Sequence, residues 1–81
     1  MAYFIYILKC SDDTLYTGIA TDVARRLAEH NSSDKGAKYT KVRRPLELVY
    51  SEASKDRSSA SKREYEIKKL SRKQKLELIN A

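Results

Sequence analysis

Cysteine, proline and glycine are nearly absent from this chain of 81 residues, and each scarcity closes off a class of protein. The one cysteine, Cys10, can form neither an internal disulfide framework nor a clustered thiolate site for zinc, so a reducing cytosol fits best. One proline and two glycines leave no flexible linker, and all three fall at joints between candidate elements. Long apolar runs are missing too. Phe4 to Leu8 is far too short to cross a bilayer, and no basic segment followed by a long apolar stretch opens the chain as a secretion signal would. These absences point to a cytoplasmic protein away from membranes, with a single domain spanning residues 1–81.

Basic charge is what the chain has in quantity. Seventeen Lys and Arg against eleven Asp and Glu give a net charge of +6, a field that concentrates polyanions at the surface. Nucleic acid is the leading partner, set against the plainer reading that small lysine-rich proteins are basic for solubility. A hydrophobic fraction of 41% suffices for a compact core but leaves little surplus, so bulky tyrosines and well-capped helices must contribute.

Tyr3 to Lys9 is aromatic and β-branched with apolar residues on both alternating faces, which predicts a strand covered on both sides. Ser11, Asp12, Asp13 and Thr14 are turn formers, and Leu15 to Ala20 resumes the strand pattern, giving an antiparallel hairpin. Thr21 or Asp22 caps a helix in which Val23, Ala24, Leu27 and Ala28 make an apolar stripe, ending near Asn31. Ser32 to Thr40 reads as a loop or short irregular helix, followed by Pro45 and a third strand at Leu46 to Ser51. Asp56 caps a second long helix reaching about Leu70, and Ser71 with Gln74 has capping-box spacing for a last helix carrying Leu76 and Ile79. The expected class is α+β, with the elements in the order β-β-α-β-α-α.

Three groups of residues go beyond packing. Ala60, Ile67 and position 71 define the inward face of the second long helix, and Glu64 lies in the middle of it. Such a carboxylate needs a cation, a metal or strong donors, unless the helix is rotated by one position or the group is in a structural salt bridge. Arg26 and His30, four residues apart, project along one flank of the first helix, either converging on a ligand or forming a solvated basic flank. Tyr6 and Tyr16 lie in the hairpin, as packing or as rigidly aimed phenols. A two-residue turn at Asp12 and Asp13 would put them on opposite faces; only a loop of odd length or a bulge lets them converge.

The order of these features resembles the GIY-YIG nucleases. The first motif stands as Phe4-Ile5-Tyr6 and the second as Tyr16-Thr17-Gly18, with Phe4 in the place of the usual glycine and Thr17 in that of an apolar residue. Ala24-Arg25-Arg26-Leu27, His30-Asn31 and Arg63-Glu64 follow in the family's order, so the match covers nearly the whole chain. It looks most like short bacterial proteins made of a lone GIY-YIG domain. Gly36 to Thr40 and Arg43-Arg44-Pro45 also resemble the catalytic subunit of a eukaryotic structure-specific endonuclease that works with a scaffold partner. The incision domain of bacterial excision repair and intron-homing endonucleases are more distant.

The resemblance implies a small three-stranded antiparallel sheet flanked by helices, and an endonuclease-type domain that hydrolyses phosphodiester bonds of nucleic acid, DNA before RNA, in repair or recombination. Glu64 would hold one Mg²⁺ or Mn²⁺, Arg26 would meet charge on the scissile phosphate, Tyr6 or Tyr16 would orient or deprotonate the attacking water, and His30 would accept a proton or anchor a tyrosine hydroxyl. Lys35, Lys38, Lys41, Arg43 and Arg44 form a basic run suited to flanking phosphates, with Tyr39 available to stack on a base. A binding module without catalysis, or a subunit whose protein partner supplies specificity, is the competing reading.

Overall fold

In the computed structural model, residues 2–32 and 38–81 are described, and the expected architecture is present. Strands β1 (Tyr3–Lys9) and β2 (Leu15–Ala20) form the hairpin, followed by α1 (Val23–Ser32), a four-residue α2 (Lys38–Lys41), β3 (Glu47–Ser54), α3 (Arg57–Lys68) and α4 (Arg72–Ile79). The sheet is antiparallel in the order β2-β1-β3, so the strand with apolar residues on both faces is the central one. Ile5, Tyr6, Ile7 and Leu8 are all buried.

Alternation along β1 builds two cores. Ile5 and Ile7 pack with Ala60 and Ile67 of α3 and with Leu78 and Ile79 of α4. Tyr6 and Leu8 point the other way, to Val23 and Leu27 of α1, Cys10 and Leu46. The final helix thus packs Leu78 and Ile79, both partly buried, against this core; of the expected Leu76 and Ile79, Ile79 is on the packed side and Leu76 is 37% exposed. Asp56 and Ser71 cap α3 and α4 as the spacing implies, Ser71 within a complete capping box with Gln74.

Two boundaries move. β3 extends to Ser54 because its pairing with β1 continues to Tyr3 opposite Ser54, and a register shift between Ile7 and Leu8, which face Tyr50 and Leu48, leaves Val49 as the extra residue of a bulge. α3 stops at Lys68, where the amide of Lys69 turns back to Tyr65 and Glu66.

Candidate active site

The hairpin decides whether the two tyrosines meet. Tyr6 lies opposite Gly18 and Leu8 opposite Tyr16, a register set by the five residues between the strands, among which Asp13 takes a left-handed φ of 67°. The odd loop puts Tyr6 and Tyr16 on the same face. Gly18, expected at a joint between elements, lies instead within β2, where it makes room for the Tyr6 ring: a Cβ there would come within 2.5 Å of the Tyr6 hydroxyl and 2.7 Å of its Cζ. The phenol therefore crosses its neighbour toward the free edge of the sheet.

From α1, His30 closes the site. It is wholly buried, because Val23, Leu27 and His30 step by four and three along the inward line of the helix. Ala24 and Ala28, expected on the apolar stripe, are exposed instead. The stripe is rotated toward Arg26 and His30, so His30 sits in the core rather than on a solvated flank. Its Nε2 is 3.0 Å from the Tyr6 hydroxyl and its Nδ1 is 2.9 Å from Thr40 Oγ1. The Tyr16 ring meets the imidazole edge-on, with centroids 5.2 Å apart.

Burial sets the protonation states. Loss of water pushes the Tyr6 phenol up to about 12, opposed by a hydrogen bond from Arg26 and reinforced by the nearby Tyr16 and Glu64. Burial, and then the positive charge of Arg26, holds His30 below the ordinary histidine value. At neutral pH the site has a neutral phenol against a neutral imidazole. Arginine can only donate, so Arg26 takes the acceptor side of the phenol oxygen. That leaves the buried phenolic proton to His30 Nε2, and Nδ1–H to donate to Thr40, a tautomer assigned from the donor inventory. Arg26 also pairs with Glu29 at 3.0 Å.

Glu64 approaches from the other side. It belongs to the α3 line of Ala60 and Ile67, but its side chain is 23% exposed and pairs with Lys68 at 3.5 Å. The expected core-facing carboxylate is thus a rim carboxylate with a cation partner, because α3 overhangs the edge strand β2. From there it is close enough to Tyr6 to act on the phenol. Tyr6, Tyr16, Arg26, His30 and Glu64 surround one place, around the edge of the sheet at Gly18.

A family model described as the GIY-YIG catalytic domain matches residues 2–77. The chain belongs to the GIY-YIG family. It is 61% identical to a UPF0213 protein of Desulfotalea psychrophila over 99% of this chain and 73% of that one. A UPF0213 protein of Staphylococcus epidermidis is 58% identical over 95% and 93% respectively. Among solved structures it is similar to the solution NMR structures of a UPF0213 protein from Bacillus halodurans (TM-score 0.63, 46% identity) and of a protein from E. faecalis (TM-score 0.68, 41% identity), each match covering 99% of this chain and 84% of the other.

GIY-YIG domains are nuclease-type, so nucleic acid is the substrate class and a divalent ion the usual companion. The residues present fit such an ion. Among the described residues no three His, Cys, Asp or Glu side chains cluster as a closed metal cage. A single hard carboxylate at the rim, held by one exposed lysine, suits a hard divalent ion that keeps several waters and shares a phosphate oxygen.

The expected basic run of the GIY-YIG domain divides. Lys35 lies outside the described residues, and Lys38 and Lys41 are exposed on α2. Arg43 donates to Asp12 at 3.0 Å and to the Tyr39 carbonyl at 2.9 Å, with its guanidinium 3.9 Å above the Tyr39 ring. Tyr39 in turn stacks on Tyr16, and Arg44 donates to the His30 carbonyl at 2.6 Å. These groups hold the α2 segment against the tyrosine site.

Sequence reasoning passed over two residues that complete it. Thr40 is fully buried on His30. The Asn31 amide pairs with both the carbonyl and the N–H of Leu46, fixing α1 to the start of β3. A polar residue one or ten positions after the histidine carries no periodic signal, though His30-Asn31 and Lys38-Tyr39-Thr40 both lay within the family likeness.

Proposed function

We propose that residues 1–81 act as one metal-dependent endonuclease unit that hydrolyses phosphodiester bonds in DNA, with branched or flap structures as preferred substrates in repair or recombination. The observation that carries this is the buried Tyr6 hydroxyl held between His30 Nε2 and Arg26, with Tyr16 and Glu64 beside it. A core built only for packing has no use for two polar partners on one buried phenol.

Tyr6 is 2% exposed, so it does not touch substrate; with His30 it positions Arg26 and the edge of the site. Tyr16 is partly exposed and orients the attacking water. Arg26, 30% exposed, turns from Glu29 to the scissile phosphate, where a fixed guanidinium meets charge that grows in the transition state. Glu64 holds the divalent ion, which when bound supplies Lewis-acid stabilisation of the phosphate and the leaving oxygen.

The test is incubation of plasmid, flap and branched DNA with Mg²⁺ or Mn²⁺. Wild type should cut, and Glu64→Gln and Arg26→Ala should each lose on the order of 100-fold or more in rate. Cutting that persists unchanged in both variants would sink the assignment.

A further inference from the structure

Beside the tyrosines, the start of strand β2 faces α3 and α4 across a cleft of about 310 Å³ that the mechanism does not use. Leu15, Tyr16, Thr17, Tyr39, Lys68 and Lys75 line it. Its polar groups are poorly matched within the protein. Lys75 is partly buried, yet its ammonium has no carboxylate partner among the described residues. Lys68 has Glu64 at 3.5 Å, with 53% of the lysine side chain exposed. Thr17 is 3% exposed, and its hydroxyl has no hydrogen-bond partner. Two cations from separate helices and an unmet hydroxyl share one concavity, and all three complement the same chemical species, an oxyanion. Leu15 and the Tyr16–Tyr39 stack supply an apolar wall of the kind on which a sugar or base rests.

We propose that this cleft is a backbone-phosphate subsite, which takes a phosphate of the same nucleic-acid strand next to the one that is cut. It rests on the nuclease reading above. Tyr16 lines both the cleft and the tyrosine site, so a strand leaving the scissile position runs directly into it. Lys75 and Lys68 contact the phosphate oxygens, and rotation of Thr17 about its Cα–Cβ bond turns the hydroxyl toward them. When Lys68 moves to the phosphate it leaves Glu64, so seating the strand and freeing the carboxylate for a divalent ion are one event. Binding of nucleic acid and of metal therefore favour each other.

Anisotropy of a fluorescein-labelled flap DNA, measured in EDTA across a salt series, tests the subsite without any cleavage. Lys75→Ala should weaken binding several-fold and reduce the salt slope by about one. Lys73→Ala removes the same charge from an exposed position of α4 outside the cleft and should change binding less. Thr17→Val should weaken binding by about tenfold with no change of salt slope, the loss of a single hydrogen bond from an uncharged donor to a charged acceptor. In the wild type, amide resonances of Thr17, Lys68 and Lys75 should shift on titration with the same DNA. Equal losses in Lys75→Ala and Lys73→Ala, or unshifted resonances around the cleft, overturn the subsite. The two ideas separate cleanly: wild type that binds through Lys75 but never cuts with Mg²⁺ or Mn²⁺ defeats the nuclease reading alone. Wild type that cuts while Lys75→Ala binds as tightly defeats the subsite alone.

Discussion

The two faces of the central strand are made from neighbouring residues and differ in kind. On one, Ile5 and Ile7 meet Ala60 and Ile67, hydrocarbon against hydrocarbon. On the other, Tyr6 meets His30, His30 meets Thr40, and three buried polar side chains occupy volume that aliphatic groups could fill. An apolar contact gains from every square ångström buried, whereas a buried polar network stabilises little beyond offsetting its own desolvation. The first face therefore holds the fold together, and the second holds a constellation of groups in place. Beside the apolar Leu8, Cys10 and Leu46, the second face buries Tyr6, His30 and Thr40 in one network, which packing alone does not call for.

Ile67→Ala tests the first face and should have the largest effect. The side chain is completely buried, so its truncation should cost about 2–5 kcal/mol. Thermal unfolding followed by circular dichroism should then show a melting temperature lower by roughly 10 °C or more. At temperatures where the variant remains folded, cleavage should match wild type, since no site residue is displaced. A cost below about 1 kcal/mol would mean that the apolar face is not what carries stability.

Gly18→Ala strikes the second face and should separate stability from chemistry. Its new methyl group overlaps the Tyr6 phenol, and forcing a group into a filled core costs about 1–3 kcal/mol. Displacing the phenol by even an ångström breaks its alignment with His30 and Arg26, for a loss in cleavage rate on the order of 100-fold. Spectrophotometric titration gives an independent reading: the tyrosine that titrates at about 12 in wild type should move back toward its ordinary 10.0. A variant that keeps the late-titrating tyrosine has kept the buried Tyr6–His30 contact, and the clash at Gly18 would then be relieved elsewhere.

Much of this contrast was legible in the residue pattern. Double-sided apolarity marked β1 as central, and the caps at Asp56 and Ser71 marked two helix starts, because each of these signals is local. The convergence of the tyrosines hinged on the parity of the hairpin loop, which turn propensity alone does not fix; the left-handed Asp13 settles it in the structure. Ala24 and Ala28 misled the reading of α1, since small apolar residues tolerate water and the true inward line runs through a histidine. Glu64 sat at the right step of α3, but sequence spacing has no knowledge that the helix overhangs an edge strand. Thr40 was invisible for a simpler reason: its bond to His30 joins segments ten residues apart through no periodic element.

The smallest expected effect concerns the charge of His30, and its sign follows from burial. Desolvation and the positive Arg26 and Arg44 hold the folded imidazole below the ordinary 6.5, with Glu29 opposing them. Between the lowered value and 6.5 the unfolded chain therefore binds a proton that the folded chain refuses. Acid favours the state that binds more protons, so stability should rise with pH through this window and fall as pH drops through it, with no further change from this group below the lowered value. Urea midpoints at about pH 7.5 and about pH 6 bracket the upper part of the window while leaving ordinary carboxylates ionised. Wild type should lose stability on acidification, and His30→Gln, which cannot titrate, should lose less. The polar face would then be the one whose stability follows pH, while the apolar face through Ile67 would be indifferent to it. Equal acid sensitivity in the two proteins would place the titrating group elsewhere and dissolve that difference between the faces.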